Sequence, residues 1–270
     1  MKIIEQIYNL QKEDNKGYKT NPDNFGPSSI SGCGLQLYKK KTGETLSNEI
    51  GLPSLLKMKS GTVLHEKFLN EWKDAGIIHT VEKEGEKEIL GLKWKYYIDG
   101  IGSKDSKDFI LEFKTIYGAG FRSIEEKPKQ DHIFQTILYM MAENINDGII
   151  LYFGRDNGLL KSFDLELKDN DLYINGVRDI DTMIAFNNAI AKLKEVRKSI
   201  DNKVEPKAEF QLNMKKRPDG SLSDSFQKDK VSYKNPWQCS YCGYYDACKG
   251  KEITKFSESN ATFLINGEMV

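Results

Sequence analysis

Tyr97-Ile98-Asp99-Gly100-Ile101 and Ile110-Leu111-Glu112-Phe113-Lys114-Thr115, joined by Gly102-Ser103-Lys104-Asp105-Ser106-Lys107-Asp108, form the stretch on which the rest of the chain turns. Leu90, Leu92, Trp94, Tyr96 and Ile98 alternate with mostly polar or glycine neighbours, the period of a half-buried strand. The joining residues are rich in chain breakers, so the whole reads as a β-hairpin with its turn at 102–108. On the return strand Phe109, Leu111 and Phe113 share one face, and Ile110, Glu112 and Lys114 the other. Asp99 then ends one strand, opposite Glu112 and Lys114. Two carboxylates and a lysine around one point can hold a divalent cation through hard oxygen ligands and orient a water beside it. A solvated sheet face carries the same residue types, so the neighbouring elements have to decide.

Upstream, Ser60 to Lys73 predicts a helix capped by Ser60, with Leu64, Phe68 and Trp72 on one face and His65 at its edge beside Leu69. Val81 to Glu88 is charged and fits a strand edge or loop. Downstream, Gly118 to Lys129 is a connection, and Gln130 to Asn144 predicts a helix. There Ile133, Ile137 and Met140 recur at helical spacing, and Gln135 and Tyr139 share a face. Gly148 to Gly154 is a continuous apolar run of strand length and predicts a central strand. Leu159 to Lys168 predicts its neighbour across an Asp156-Asn157-Gly158 turn. Residues 171–200 read as one long helical region. The order helix, strands, helix, strands, helix predicts an α/β core with a mixed sheet. Residues 1–27 read as a polar N-terminal arm, 28–202 as the core, 203–236 as a polar linker or lid, and 237–270 as a cysteine-bearing C-terminal segment.

The chain has 270 residues, 39% hydrophobic and 30% charged, enough apolar content to bury a core. Its formal net charge is zero, which argues against a generally basic nucleic-acid coat but not against a local groove. No apolar run approaches the roughly 20 residues of a membrane span. The opening Met-Lys-Ile-Ile-Glu-Gln has no apolar signal region, so the expected location is cytoplasmic.

The four cysteines are Cys33 and the compact set Cys239-x2-Cys242-x5-Cys248. In a reducing compartment this spacing favours a metal cluster over disulfides. Three thiolates need a fourth ligand, and Cys33 is the remaining cysteine. Four thiolates suit tetrahedral zinc or an iron–sulfur cluster, and spacing leaves both open. Trp237, Tyr241, Tyr244 and Tyr245 surround the set.

Taken together, His65, Asp99, Glu112-x-Lys114 and Gln135-x3-Tyr139 resemble the ordered motifs of RecB-like PD-(D/E)xK nucleases. Cys239-Ser-Tyr-Cys242-Gly-Tyr-Tyr-Asp-Ala-Cys248 is similar to the C-terminal cysteine string of that family's iron–sulfur branch. That branch includes AddB-type nuclease domains and CRISPR-adaptation-associated exonucleases. Ile98 stands before Asp99 in place of proline, and Gly34 follows Cys33 in place of the branch's usual Pro-Arg. No G-x4-G-K-[ST] string marks a motor.

The resemblance implies a restriction-endonuclease-like core, a central mixed sheet flanked by helices, with a C-terminal cysteine-cluster cap. It implies a metal-dependent deoxyribonuclease, an exonuclease working on DNA ends or single strands in recombination, repair or mobile-element processing. By that resemblance His65, Asp99, Glu112 and the Phe113 carbonyl would hold Mg²⁺ or Mn²⁺, the imidazole favouring Mn²⁺. Lys114 would position the nucleophile, and Gln135 and Tyr139 would steady Lys114 and the DNA backbone. Cys33, Cys239, Cys242 and Cys248 would hold a structural 4Fe-4S cluster. Expected partners are DNA, a second copy of the chain, and a recombinase or helicase. The competing expectation is a catalytically silent DNA-binding or adaptor module with a structural zinc site of four cysteines.

Overall fold

Seven strands lie side by side in chain order in one sheet, and of the six neighbouring pairs all are antiparallel except the third. They are β1 (Thr80–Ile89), β2 (Leu92–Lys104), β3 (Lys107–Ile116), β4 (Asp147–Gly154), β5 (Leu160–Lys168), β6 (Asp171–Ile174) and β7 (Val177–Arg178). The helices are α1 (Ile3–Asn15), α2 (Gly34–Lys41), α3 (Leu52–Asp74), α4 (Gly118–Arg122), α5 (Gln130–Glu143) and α6 (Ile180–Asp201). The structure, a computed structural model, describes residues 3–15, 21–48 and 51–211. Beyond these it describes 215–216, 222–223, 225–228, 231–234, 239, 242–245, 247–248, 264–265 and 268–269. The chain divides into two units, Met1–Ser31 with Leu52–Glu195, and Gly32–Gly51 with Val196–Val270. The expected α/β class and mixed sheet are found in the first unit. No helix among the described residues is long and apolar enough to cross a membrane.

The parallel pair β3–β4 forces a crossover, because parallel neighbours cannot be joined by a tight turn. That crossover carries α4 and α5. Alternation sorts its side chains: Phe109, Leu111 and Phe113 of β3, with Ile149, Leu151 and Phe153 of β4, pack with Leu69, Phe68 and Trp72 of α3. The opposite face meets α5. Gly148 lies there so close to the helix that an added Cβ would stand 2.9 Å from the Met140 sulfur.

Several expectations are corrected. The turn between β2 and β3 is only Asp105-Ser106, both at positive φ, so Gly102 to Lys104 and Lys107-Asp108 belong to strands. Leu90 does not start β2. With Gly91 it makes the positive-φ turn after β1. The helix expected from Ser60 begins at Leu52, with Pro53 in its first turn, where a missing N–H costs nothing. The region read as one helix from 171 opens with β6, an Asn175-Gly176 turn and β7 before α6 starts. Part of the polar arm is α1, and α4 interrupts the connection after β3.

In the second unit Cys33 is the N-cap of α2, in extended conformation. Glu209 accepts the Gly34 N–H at 2.6 Å. Within 203–236 the short strands Lys215–Lys216 and Leu222–Ser223 pair, as do Ser225–Lys228 and Val231–Lys234. The remainder of that predicted linker beyond residue 211 lies outside the described residues, as do Trp237 and Tyr241.

Candidate active site

Glu112 and Lys114 occupy alternate positions of β3, so both point to the α5 face. Glu112 is wholly buried, and neither carboxylate oxygen has a hydrogen-bond partner of good geometry. The Lys114 ammonium lies against Oε1 as an ion pair. Burial and the Asp99 charge push the Glu112 carboxyl up to about 8 against the pull of Lys114. Burial disfavours the Lys114 charge too, but Glu112 and Asp99 outweigh it and hold the ammonium above its ordinary range.

Asp99 stands where β2 leaves β3. The ladder between the two strands ends at Gly100 opposite Leu111. The next β3 amide toward Asp99, that of Phe113, donates to Asp99 Oδ2 at 2.7 Å instead of to a strand carbonyl. The same oxygen is 3.1 Å from His65 Nε2, which is also 2.9 Å from the Phe113 carbonyl oxygen. His65 stacks on the Phe113 ring, with centroids 5.2 Å apart, and α3 presents it there because Leu69 and Phe68 anchor the helix on β3. Burial works against the Asp99 charge, but the His65 hydrogen bond and the Lys114 ammonium hold its carboxyl below the usual range. Burial opposes the imidazolium of His65 as well, and Asp99 still raises it.

Gln135 Nε2 donates to Tyr139 Oη at 2.7 Å, the i, i+4 pair expected on α5. Burial and then the charges of Glu112 and Asp99 raise the Tyr139 phenol, so it keeps its proton and remains a donor near the carboxylates. All of the expected residues His65, Asp99, Glu112, Phe113, Lys114, Gln135 and Tyr139 fall in the first unit.

Sequence spacing does not single out His132. Its Nδ1 is 2.7 Å from Tyr152 Oη, which also accepts the Lys129 N–H at 3.1 Å. Burial, the largest influence, with Lys114 and Lys129 pushes His132 down to about 4 against the pull of Asp131 and Asp99, so it is neutral at pH 7. The proton of the His132–Tyr152 bond comes from the tyrosine hydroxyl or from Nδ1 according to the His132 tautomer. Tyr152 pairs with Lys114 across the parallel ladder. The available signal is a lone tyrosine inside an apolar central strand.

As they stand, no three His, Cys, Asp or Glu side chains among the described residues close a coordination sphere. His65 and Asp99 turn toward each other and Glu112 toward Lys114. The donor types nevertheless suit a hard or borderline divalent cation: two carboxylates, an imidazole and a carbonyl. Glu112 is wholly buried with the Lys114 ammonium against it, and such a cation would supply a second positive charge to that carboxylate.

The four cysteines all lie in the second unit, are half-buried and form no disulfide. Burial and the charges of Cys33, Cys242 and Cys248 push the Cys239 thiol up to about 12. As they stand the four close no coordination sphere, while their donor type, once deprotonated, suits a thiophilic cationic centre. The chain around them is ordered by backbone bonds, Cys242 N–H to the Cys239 carbonyl and Cys248 N–H to the Tyr244 carbonyl, both 3.0 Å. Ser47 and Asn48 donate to the Gly243 carbonyl. An added Cβ at Gly243 would lie 2.8 Å from the Leu46 Cδ2 methyl, which would have to turn aside.

No family model and no curated protein matches the chain. Among solved structures, SSO0001 is similar with a TM-score of 0.53 and 16% identity, over 92% of this chain and 96% of its own. Two structures of LHK-Exo, an alkaline exonuclease from Laribacter hongkongensis, one of them in complex with dAMP, give TM-scores of 0.45 at 14% identity. They cover 74% of this chain and 95% of theirs. The chain therefore shares the fold of SSO0001.

Proposed function

We propose that this chain is a metal-dependent deoxyribonuclease of the RecB-like PD-(D/E)xK type, acting on DNA ends or single strands. The observation that carries the reading is the wholly buried Glu112, paired with Lys114, beside the convergence of His65, Asp99 and the Phe113 carbonyl. Glu112, His65, Asp99 and the Phe113 carbonyl would hold Mg²⁺ or Mn²⁺. When bound, such a cation polarises the scissile phosphate and acidifies water. Lys114, two residues beyond Glu112 on the same face, would orient the attacking water and stabilise negative charge developing on the phosphate. Tyr139, kept as a phenol, would donate to a phosphate oxygen, and Gln135 fixes its hydroxyl. Neutral His132 is held by Tyr152 through Nδ1, and its Nε2 lies 3.8 Å from the Asp131 carboxylate.

In the second unit Cys33, Cys239, Cys242 and Cys248 would hold a structural 4Fe-4S cluster, with zinc the other centre this donor set suits. Phosphodiester hydrolysis transfers no electrons, so the centre's contribution is to folding.

The test is degradation of linear single-stranded, linear duplex and covalently closed circular DNA with Mn²⁺ or Mg²⁺. Loss of the linear substrates with intact circles supports an exonuclease. Equal cleavage of circles would overturn end dependence, and no cleavage with either ion would overturn the nuclease reading.

A further inference from the structure

β3 ends at Ile116, and the next residue, Tyr117, is 44% exposed. Its ring is nonetheless held in place. Arg155, the first residue after β4, sets its guanidinium carbon 4.4 Å from the ring centroid. Arg155 is itself fixed, since Nη1 donates to the Lys57 carbonyl at 3.1 Å and the Ser60 hydroxyl at 3.0 Å, and its own N–H donates to the Ile116 carbonyl. A second cation, Lys57 Nζ, lies 5.9 Å from the same ring.

The position is tied to the candidate active site by two elements. Lys57, Gly61 and His65 follow one another at four-residue spacing on α3, so they share a face, with about 12 Å from first to last. Gly61 lies beside both neighbours, since a Cβ there would be in ordinary contact with Thr115 Oγ1 at 3.6 Å and Arg155 Nη1 at 3.8 Å. Along β3, Phe113 to Tyr117 is at most about 13 Å. The Tyr117 backbone thus lies within about 13 Å of the Phe113 backbone, at the carboxyl edge of the only parallel strand pair in the seven-stranded sheet. That edge is where α/β sheets take ligands.

We propose that Tyr117, with Arg155 and Lys57, is a stacking platform for an unpaired nucleotide next to the scissile phosphate. The proposal rests on the nuclease reading for its location. A rigid, half-exposed aromatic ring offers a π-face that any base can use, and two adjacent cations neutralise the flanking phosphates. Lys57, on a flexible stem, can leave the ring for a phosphate when a base arrives, whereas Arg155 stays anchored. The chemistry selects an unpaired base, because a base stacked within a duplex has no face to offer.

The test uses the full chain in EDTA, with fluorescence anisotropy of a short labelled oligodeoxythymidine and of a blunt duplex. Tyr117→Ala weakens single-strand binding about tenfold, and Tyr117→Phe stays within about twofold, because the ring and not the hydroxyl is used. Duplex affinity changes less than about twofold in both. Lys57→Gln flattens the dependence of log affinity on log salt by about 0.7. Hydrolysis of bis(p-nitrophenyl) phosphate with Mn²⁺, a substrate too short to span both places, is unchanged in Tyr117→Ala. Wild-type single-strand affinity in Tyr117→Ala overturns the proposal. So does a parallel loss of single-strand binding, duplex binding and small-substrate hydrolysis, which would mark the ring as a packing residue. If the wild type hydrolyses nothing, the nuclease reading fails, and the anisotropy contrast still decides the platform.

Discussion

Lys114 sets its ammonium against the carboxylate of Glu112, two residues back on the same strand, and Glu112 is wholly withdrawn from solvent. The pair is therefore coupled: once Glu112 gives up its proton, each charge makes the other tolerable in a buried place. Lys114→Ala removes the group that would orient water and is expected to lower Mn²⁺-dependent cleavage by about 10²–10³-fold, as loss of one preorganised donor does. DNA binding, read by anisotropy in EDTA, is expected to stay within about threefold. Wild-type turnover in this variant would remove Lys114 from the reaction.

The raised carboxyl of Glu112 makes stability fall with pH. Unfolded, the group titrates near its ordinary value, about 4.5; folded, it holds its proton to about 8. Between these the folded chain binds more protons, so stability declines as pH rises and the decline is complete above about 8. His65, also raised by folding, acts in the same direction. In EDTA the melting temperature is expected to drop from pH 6 to pH 9, and Glu112→Gln to flatten that drop. Metal affinity moves oppositely, since binding must displace these protons. Titration calorimetry in two buffers of different ionisation enthalpy should register proton release below about pH 8.

Much of this arrangement is legible in the sequence because periodicity reports faces. Glu112 and Lys114 share a side of β3, and Gln135 and Tyr139 share a side of α5, whatever the tertiary context. The structure adds which side is buried: the α5 face holds a carboxylate with no access to water, where alternation alone also fits a solvated sheet. The turns are harder to read. Residues 102–108 contain several breakers, and cross-strand register, not composition, selects Asp105-Ser106 as the bend. Asn175-Gly176 is a strong hairpin signal, but the apolar spacing of the following helix masks it. His132 is hidden because its partner, Tyr152, arrives from a strand that only the parallel pairing brings alongside Lys114.

Tyr139→Phe isolates the hydroxyl from the ring. The ring remains near Tyr96, with centroids 6.2 Å apart, so packing is kept. The buried Gln135 donor loses its acceptor, which is expected to cost about 1 kcal/mol in chemical denaturation. If Tyr139 donates to the phosphate, kcat falls about tenfold with little change in KM, because the bond strengthens as charge develops. Gln135→Ala, which only loosens the same hydroxyl, is expected to give a smaller fall in kcat. Equal kcat in wild type and Tyr139→Phe would leave the phenol a structural role only.

Cys242→Ser tests the thiol centre by a route independent of cleavage. Cys242 lies at the start of the turn that Gly243 and Tyr244 press onto residues 44–48, where Tyr244 Oη donates to the Glu44 carbonyl at 3.3 Å. Without a bound centre Cys239 and Cys242, both raised by burial, stay protonated and contribute little to holding that turn. With one bound, its binding energy becomes folding energy, so losing a ligand should lower the melting temperature of anaerobically purified protein. Iron and zinc analysis of the wild type then separates the two centres: about four irons per chain with visible absorbance for a cluster, about one zinc and no colour for a tetrahedral site. In Cys242→Ser the bound metal should fall in step with stability, while hydrolysis of bis(p-nitrophenyl) phosphate at low temperature should stay near wild type. A variant that keeps full stability and carries no metal would mean that the second unit folds without any centre at its cysteines.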